Sequence, residues 1–513
     1  MDSAYQTMII AWAAMICWVA IVIAFNRKQH PKVLFFLFTV ELWERFSYYG
    51  MRAFLVLYLT KTDPAGGFGF AKDIGNGIYA AYGALVYLTP LAGGYLADKL
   101  LGFRKSIIWG AVLMAAGQFT LSQSSGQPWV LYTGLALLVT GNGFFKPNIS
   151  SLIGRLYPAG DIRRDGAFTI FYMGINIGAF LAPLTCGVVA EKVGWNYGFL
   201  LAGSGMVVGL ILFLVTSSLG LLENKADSPA FAAGRRVAGL PVDFAVFVGS
   251  LLFIPVLSML IHQNDVMDYI LGSLGLFAIV YMFILSLRFE KVDRERVWVV
   301  MVLLVFTTIF WTFFELAGSA LNLFTDKNVD KTFLGLELTT SSYQAFNPLF
   351  IIAFAPLFSV MWTTLARKNL EPAAPLKFAG SLLLLGAGFL VMNLGLPFVH
   401  DGLMPALFLI MLYLLHTWGE LAMSPVGLSL VTKLAPAQIA AFMMGFWFLS
   451  SSIAHQAGKR IANLTNVDES VPPEQSLSLA LGVFNSIGWV AIGCGLFLVI
   501  LSPFIRRWMH GVK

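Results

Sequence analysis

Long, nearly uninterrupted stretches of apolar residues constrain this sequence more than any other feature. Each is long enough to cross a hydrocarbon core of roughly 30 Å as a helix that rises about 1.5 Å per residue. A β-barrel would instead show short segments of alternating polarity. The sequence therefore predicts an all-α polytopic membrane protein. Fifteen spans are expected, near residues 8–25, 33–59, 77–97, 106–122, 130–154, 167–189, 199–221, 243–262, 269–287, 297–324, 341–363, 378–398, 403–431, 437–457 and 478–505.

The composition supports this fold class, because 58% hydrophobic and only 12% charged residues cannot cover the surfaces of several soluble domains. Of the 33 basic residues, 23 fall in loops on one side of the predicted topology and 7 on the other. We expect the first side, with the C-terminus, to be cytoplasmic in a bacterial inner membrane. The formal charge of +6 then needs no nucleic acid partner. The cysteines Cys17, Cys186 and Cys494 lack metal-ligand spacing, so neither a metal nor a cofactor is expected.

The polar connections divide the chain into four predicted parts. The longest central interruption, Leu222 to Val242, reads as an interdomain linker, and two plain apolar spans follow it. Without these two spans and the first one, six spans remain on each side, as in transporters built from two halves. The parts are an extra N-terminal transmembrane helix at 1–30, a six-helix bundle at 31–221, a linker with two inserted helices at 222–296, and a second six-helix bundle at 297–513.

Ionisable residues inside the spans are the main functional candidates, because each costs about 2.5 to 3.5 kcal/mol to insert. On the second span, six polar residues fall within an arc of about 140° of one helix face. These six are Glu41, Glu44, Arg45, Tyr48, Tyr49 and Arg52, and the other ionisable residues within spans are Lys146, Glu315 and Glu420. Four carboxylates against three cations leave one excess negative charge, which gives a physical basis for proton coupling. The alternative is a set of ion pairs that only holds helices together.

Three further helix faces combine polar and aromatic residues. They consist of Trp311, Glu315 and Asn322; of Tyr413, His416, Thr417, Glu420 and Ser424; and of Trp447, Ser451 and His455. Core packing is the alternative for Trp311, and packing of small residues is the alternative for the third face. His416 reads as a core histidine with a satisfied hydrogen bond. Neither an enzyme nor a channel is favoured, because no nucleophile with a base and no repeated ion filter is visible.

The segment Glu41–Gly50, with the sequence ELWERFSYYG, resembles the E-x-x-E-R-F-x-Y-Y-G signature of the proton-coupled oligopeptide transporter (POT/PTR) family of the major facilitator superfamily. Residues 171–183 and 419–425 resemble the family's fifth-helix and tenth-helix motifs, and residues 94–105 the superfamily's cytoplasmic loop motif. The resemblance covers residues 31–508. It implies a bacterial member with a major facilitator fold, in which two six-helix bundles alternate access and an inserted helix pair separates them. It also implies proton-coupled import of di- and tripeptides.

The resemblance further implies roles for individual residues. The peptide carboxylate would be held by Arg45 and Lys146, and the amino terminus by Asn176, Asn347 and Glu420. The side-chain pockets would be lined by Tyr48, Tyr49, Tyr87, Trp311, Trp447 and Ser451, with Arg52 beside them. Gating pairs would join Arg52 to Glu315 and Lys146 to Glu420. The second helix of the first bundle lacks the histidine of animal members, so the candidates for proton coupling are Glu41, Glu44 and Glu315.

Two points stay open at this level. Nitrate or a peptide-like drug is the alternative substrate for the same fold. The first span, Thr7 to Ala24, is followed rather than preceded by basic residues and has no cleavage site. We therefore expect a retained helix with its N-terminus outside and no part in the site, the alternative being a surface-lying segment. Peptides, protons and the lipid bilayer are the expected partners of a monomer.

Overall fold

The computed structural model describes residues 2–62, 66–158, 161–222, 226–227, 236–237, 239–436, 438–467 and 470–512. Within these ranges the chain is almost entirely helical. The helices are α1 (Ser3–Asn26), α2 (Lys32–Thr60), α3 (Lys72–Leu96), α4 (Phe103–Ser122), α5 (Pro128–Arg155), α6 (Arg163–Ala182), α7 (Val188–Lys192), α8 (Trp195–Ser218), α9 (Val242–His262), α10 (Asn264–Ser286), α11 (Lys291–Phe314), α12 (Ala320–Asn328), α13 (Phe346–Arg367), α14 (Ala374–Val391), α15 (Ala406–Leu434), α16 (Ala440–Leu464) and α17 (Pro473–Trp508).

Each of the fifteen predicted spans corresponds to helical structure among the described residues. Two spans are interrupted. A wide π-helical turn, Pro183–Gly187, joins α6 to α7, and a tight 3₁₀ turn, Glu315–Gly318, separates α11 from α12. Further short helical segments are Ala97–Leu101, Ser341–Ala345 and Met392–Phe398. Because such turns leave the regular hydrogen-bond ladder, they are common where a membrane helix carries functional groups.

Ten helical segments of the described chain are long and apolar enough to cross a membrane. The helix α2 is not among them, because every window of 18 residues along it contains at least three of its charged side chains. Its length still matches that of a span, and its apolar residues are buried along both ends. Other helices of the protein therefore shield the charged side chains of α2 from lipid.

Strands are short, with two residues each. They are β1 (Arg236–Val237), β2 (Leu240–Pro241), β3 (Val329–Asp330), β4 (Thr332–Phe333), β5 (Leu336–Glu337) and β6 (Met404–Pro405). The first two pair antiparallel in the predicted linker, and β3 pairs parallel with β6. Residues 223–225, 228–235 and 238 of the predicted linker lie outside the described residues.

The chain forms two compact units. Unit 1 comprises Met1–Ala71, Leu85–Asn264 and Leu336–Pro348, and unit 2 comprises Lys72–Ala84, Asp265–Gly335 and Leu349–Lys513. In unit 1, α2 packs on α6 and α8, and α4 packs on α5 and α8. In unit 2, α14 packs on α15 and α17, and α11 packs on α16. The boundaries of the two six-helix bundles expected from the sequence stay a prediction.

Small residues allow close helix packing in unit 1, for example between α4 and α5. A side chain at Gly110 would meet the carbonyl oxygen of Gly141 at 2.6 Å, and one at Gly141 would meet that of Gly110 at the same distance. Backbones can approach this closely only where both residues lack a side chain. The pair thus fixes α5, which carries Lys146, against α4.

The inserted helices α9 and α10 make their polar contacts in different units. In unit 1, Trp109 donates from Nε1 to Ser250 Oγ on α9 at 3.0 Å, and Lys105 forms an ion pair with Asp243 at the start of α9. In unit 2, the first turn of α10 is bound to α16 by the carboxylate of Asp265, which lies 2.5 Å from Lys459 Nζ. The turn between α9 and α10 is a single residue, Gln263.

Several helices extend beyond the predicted ends of their spans, and α16 is the clearest case. The span expected to end at residue 457 continues as α16 to Leu464, so Lys459 and Arg460 lie within the helix rather than in a loop. The side chain of Lys459 is only 7% exposed. The helix can continue past these two basic residues because carboxylates of α10 neutralise them.

The helix α1 packs on unit 1, as the sequence predicted for an additional helix. Asp2 caps its first turn by accepting from the backbone N–H of Ala4 at 2.9 Å, and also pairs with Lys192 at 3.1 Å. Trp12 donates from Nε1 to Thr185 Oγ1 at 2.9 Å and lies against the ring of Trp43. Most of its remaining surface is apolar and exposed, which suits contact with lipid.

Candidate functional site

The polar face of α2 centres on a buried cluster of three charged residues. Arg45 donates from Nε to Glu41 Oε1 at 2.8 Å, and the same nitrogen lies 3.1 Å from Glu44 Oε2. Both carboxylates are fully buried, and Arg45 is 6% exposed. The spacing of four residues between Glu41 and Arg45 brings their side chains together on consecutive turns. One guanidinium thus serves two carboxylates, which leaves the cluster one negative charge in excess.

The carboxylate oxygens of this cluster are incompletely satisfied. Glu41 Oε2 is buried and has no hydrogen-bond partner among the described residues. Asn142 on α5 approaches Glu44 Oε1 with its side-chain amide at 3.5 Å, which is at the limit of a hydrogen bond. A buried carboxylate oxygen without a donor is costly, and a proton on one of the two carboxyl groups removes that cost. The cluster therefore combines an excess negative charge with a buried carboxylate oxygen that has no donor among the described residues.

Farther along α2, the polar face continues as aromatic rings and a second arginine. The rings of Tyr48 and Tyr49 meet edge to face with centroids 5.1 Å apart. The Arg52 guanidinium lies over the Tyr49 ring at 5.7 Å from its centroid. The six residues that the sequence assigned to one helix face are thus grouped as predicted, in a ladder of charged and aromatic side chains.

Lys146 on α5 supplies a further cation in unit 1. Its Nζ lies 4.4 Å from the centroid of the Tyr87 ring, which belongs to α3. A cation over an aromatic face is attracted by the ring and keeps its positive charge. Two predicted amide groups also belong to unit 1: Asn176 is buried on α6 and donates to Tyr172 O at 2.9 Å, and Asn347 is half-buried at the start of α13.

The predicted site residues of unit 2 lie on four helical segments. Trp311 stands edge-on to Phe310 and Phe314 on α11. Glu315 is buried in the 3₁₀ turn that follows. Glu420 is half-buried on α15, whereas Trp447 is buried on α16.

A glycine on the neighbouring helix leaves the space that the Trp447 ring occupies. A Cβ at Gly427 of α15 would overlap its ring, so that glycine is what admits the indole. Ser451 follows one turn later on α16 and is half-buried. The pairs Arg52 with Glu315 and Lys146 with Glu420, and the substrate contacts of all these residues, stay predictions.

One feature of unit 2 was missed by sequence reasoning. His455 is 5% exposed, and its Nε2 lies 3.9 Å from Glu315 Oε1. The sequence placed His455 on one face with Trp447 and Ser451 but gave packing as an even alternative. The spacing of four, which continues through Ser451 and His455 to Lys459, groups these residues on one helix face but does not indicate what that face contacts. By contrast, His416 has its Nε2 3.2 Å from Leu385 O and packs on Phe389, as expected of a core histidine.

Buried ion pairs on membrane-spanning helices, with aromatic rings beside them, are typical of membrane transporters. A family model described as the POT family matches residues 104–505, and the chain belongs to that family. With ten apolar helical segments among its described residues, it is a multi-pass protein of the bacterial inner membrane.

Proteins of similar sequence match nearly the whole length of this chain. The chain is 36% identical over 488 residues to the transporter YclF of Bacillus subtilis, covering 94% of this chain and 96% of that protein. It is 31% identical over 484 residues to the dipeptide and tripeptide permease B of Salmonella typhimurium, covering 94% and 97%. The crystal structure of the peptide transporter POT in complex with sulfate is 36% identical, with a TM-score of 0.81 over 94% of this chain and 96% of that one. The predicted major facilitator fold is confirmed.

Proposed function

We propose that this protein imports di- and tripeptides together with protons by alternating access. The observation that carries the proposal is the buried cluster in which Arg45 lies between Glu41 and Glu44. Its excess negative charge provides a place for a proton inside the membrane, at a depth where an uncompensated charge is costly. A peptide permease and a structure of a peptide transporter are among the similar proteins, which supports the choice of substrate.

The substrate's own charges assign the remaining roles. A di- or tripeptide is a zwitterion, so it needs a cation for its carboxylate and acceptors for its ammonium group. In this proposal Arg45 and Lys146 bind the carboxylate. Asn176, Asn347 and Glu420 bind the amino terminus. The tolerant side-chain pockets are formed by the aromatic and small polar residues Tyr48, Tyr49, Tyr87, Trp311, Trp447 and Ser451, beside Arg52.

Proton coupling is assigned to Glu41, Glu44 and Glu315. Gating is assigned to the pairs of Arg52 with Glu315 and of Lys146 with Glu420. The protein acts as a monomer in the bilayer, with its C-terminus in the cytoplasm and the N-terminus of α1 outside. The distribution of basic residues in the connecting loops supports this orientation.

Uptake into proteoliposomes tests the proposal. A labelled dipeptide should accumulate when the outside is acidic and should only equilibrate when the pH is equal on both sides. Unlabelled di- and tripeptides should compete, whereas single amino acids and dipeptides blocked at either end should compete poorly, because both termini must meet opposite charges. Equal competition by a blocked dipeptide, or uptake of nitrate in place of peptide, would contradict the proposal.

A further inference from the structure

Beside Glu315, unit 2 contains a small polar cavity. It is lined by Asn76 and Tyr79 of α3, by Glu315 and Ser319, and by His455 and Lys459 of α16. Its volume of about 10 Å³ is close to what one water molecule requires. Polar groups on several sides could hold such a water in place. The cavity therefore connects a buried carboxyl group, a buried histidine and a buried lysine.

The ring of His455 is fixed by its surroundings. A side chain at Gly83 of α3 would come within 2.6 Å of His455 Nδ1, so the ring occupies the space that this glycine leaves open. Its other nitrogen, Nε2, faces Glu315 at 3.9 Å. This separation is too long for a direct hydrogen bond, but a small rotation of either side chain or one bridging water closes it.

From His455, a line of polar side chains leads along α16 to the surface. Lys459 follows one turn later, and its Nζ lies 2.5 Å from Asp265 and 4.0 Å from Asp268, both in the first turns of α10. Gln456 donates to Asp268 Oδ1 at 2.7 Å. The side chain of Asp265 is 86% exposed, so this end of the line meets solvent.

We propose that His455 relays protons between Glu315 and the surface end of α16. This inference rests on the function proposed above and names the path by which Glu315 is loaded. In the transfer, protonated His455 donates its Nε2 proton to the Glu315 carboxylate, directly or through one water. The N–H bond breaks as the O–H bond of the carboxylic acid forms. Neutral His455 then accepts a proton from a hydronium ion of the acidic solution that reaches the cavity past Lys459. One O–H bond of the hydronium breaks as the new N–H bond forms, and neutral water is left.

The charges around the relay suit this role. The titratable groups that face His455 are Glu315 from the 3₁₀ turn, Tyr79 from α3 and Lys459 from its own helix. Beyond Lys459 stand Asp265 and Asp268 of α10, which neutralise its charge. Because the lysine is compensated, a proton can stay on His455 without an adjacent uncompensated cation.

Substitution His455→Gln tests the relay in the full-length protein in proteoliposomes. Glutamine keeps a polar side chain of similar reach but cannot take up an additional proton at neutral pH. We expect the initial rate of proton-driven dipeptide uptake to fall by about a hundredfold or more, the contribution typical of a positioned acid–base group. Counterflow at equal pH should stay near the wild-type rate. The rise in wild-type uptake as the external pH falls should be weakened in the variant.

A matched control is His416→Gln, which replaces another buried histidine of unit 2 that contacts a backbone carbonyl. Its ratio of proton-driven uptake to counterflow should equal that of the wild type. Gly83→Ala is a second variant that crowds the His455 ring without removing a titratable group. It should lower proton-driven uptake in the wild-type background and have no further effect in the His455→Gln background.

The outcomes separate the two proposals. Failure of the wild type to accumulate any dipeptide overturns the proposed function and the relay with it. Accumulation by His455→Gln at the wild-type rate, with an unchanged pH profile, overturns the relay alone. Parallel loss of uptake and counterflow in both His455→Gln and Gly83→Ala also overturns it, because that pattern indicates a structural role.

Discussion

Single residues decide where this membrane protein can hold charge. The α2 cluster was predictable because its members follow one another on consecutive turns of one helix, so that spacing alone groups them. The approach of His455 to Glu315 was not predictable, because 140 residues separate them and no local pattern encodes the packing of α16 on α11. Similarly, the burial of Lys459 depends on carboxylates contributed by α10.

At this scale, Lys146→Ala tests the cation assigned to the peptide carboxylate. We expect dipeptide affinity to fall by about ten- to a hundredfold, because a hydrogen bond to a charged group contributes about 1.5 to 3 kcal/mol. Binding to the purified protein measures this effect. Lys192→Ala is the control, since that lysine pairs with Asp2 at the surface. Wild-type affinity in Lys146→Ala would refute the assignment.

Glu315→Gln tests the proton-coupling role of the buried carboxyl group in the 3₁₀ turn. The amide keeps the shape of the side chain but cannot release a proton, so proton-driven accumulation should be abolished while counterflow persists. Uptake of labelled dipeptide with and without a pH gradient distinguishes the two activities. Glu295→Gln, which alters a carboxylate paired with His510 near the C-terminus, should retain both. Equal loss of both activities in Glu315→Gln would indicate a structural role instead.

Among the elements, the positions of the helices can be predicted from the sequence, but the irregular turns within them cannot. Every predicted span corresponds to helical structure among the described residues, including α9 and α10. The π turn at Pro183–Gly187 and the 3₁₀ turn at Glu315–Gly318 were not predicted, because prolines elsewhere, such as Pro147 and Pro255, remain inside continuous helices. Whether a helix breaks is decided by what neighbouring helices offer the freed backbone groups.

Deletion of residues 2–26 tests the prediction that α1 is separate from the site. Polar contacts of this helix go to Met173, Thr185, Lys192 and Glu337, and none of its residues belongs to the predicted site. We expect dipeptide affinity to be unchanged and the melting temperature to decrease, because packing against α6 is lost. Trp12→Phe is the milder control, since it removes only the hydrogen bond to Thr185. A loss of affinity on deletion would show that α1 contributes to binding.

For the whole molecule, composition established the membrane environment, and the motifs established the family. The excess of basic residues on one side of the predicted topology supports an orientation as well. Which residues form each unit could not be predicted from the sequence. Residues 72–84 belong to unit 2 although the segments on both sides belong to unit 1, and residues 336–348 belong to unit 1 although their flanking segments belong to unit 2. Such exchanges depend on tertiary packing over hundreds of residues.

Proton coupling at the level of the whole protein predicts a response to membrane voltage. A neutral zwitterionic dipeptide that moves with at least one proton carries positive charge, so an inside-negative potential drives uptake by about 2.3 kcal/mol per charge per 100 mV. Potassium diffusion potentials imposed with valinomycin at equal pH on both sides measure this dependence. A dipeptide with one acidic side chain is the control, since cotransport with one proton makes its movement electroneutral. Voltage-independent uptake of the neutral dipeptide would contradict the coupling.

The assignment of α9 to unit 1 and α10 to unit 2 has a consequence for dividing the gene. Along the described residues, the chain changes unit five times, after residues 71, 84, 264, 335 and 348. A split within the linker would therefore not produce two self-sufficient modules. The first fragment would carry residues 72–84 of unit 2, and the second would carry α9 and residues 336–348 of unit 1. Each half-protein would hold a piece that completes the other, so the two should be stable when synthesised together and prone to aggregation when made alone.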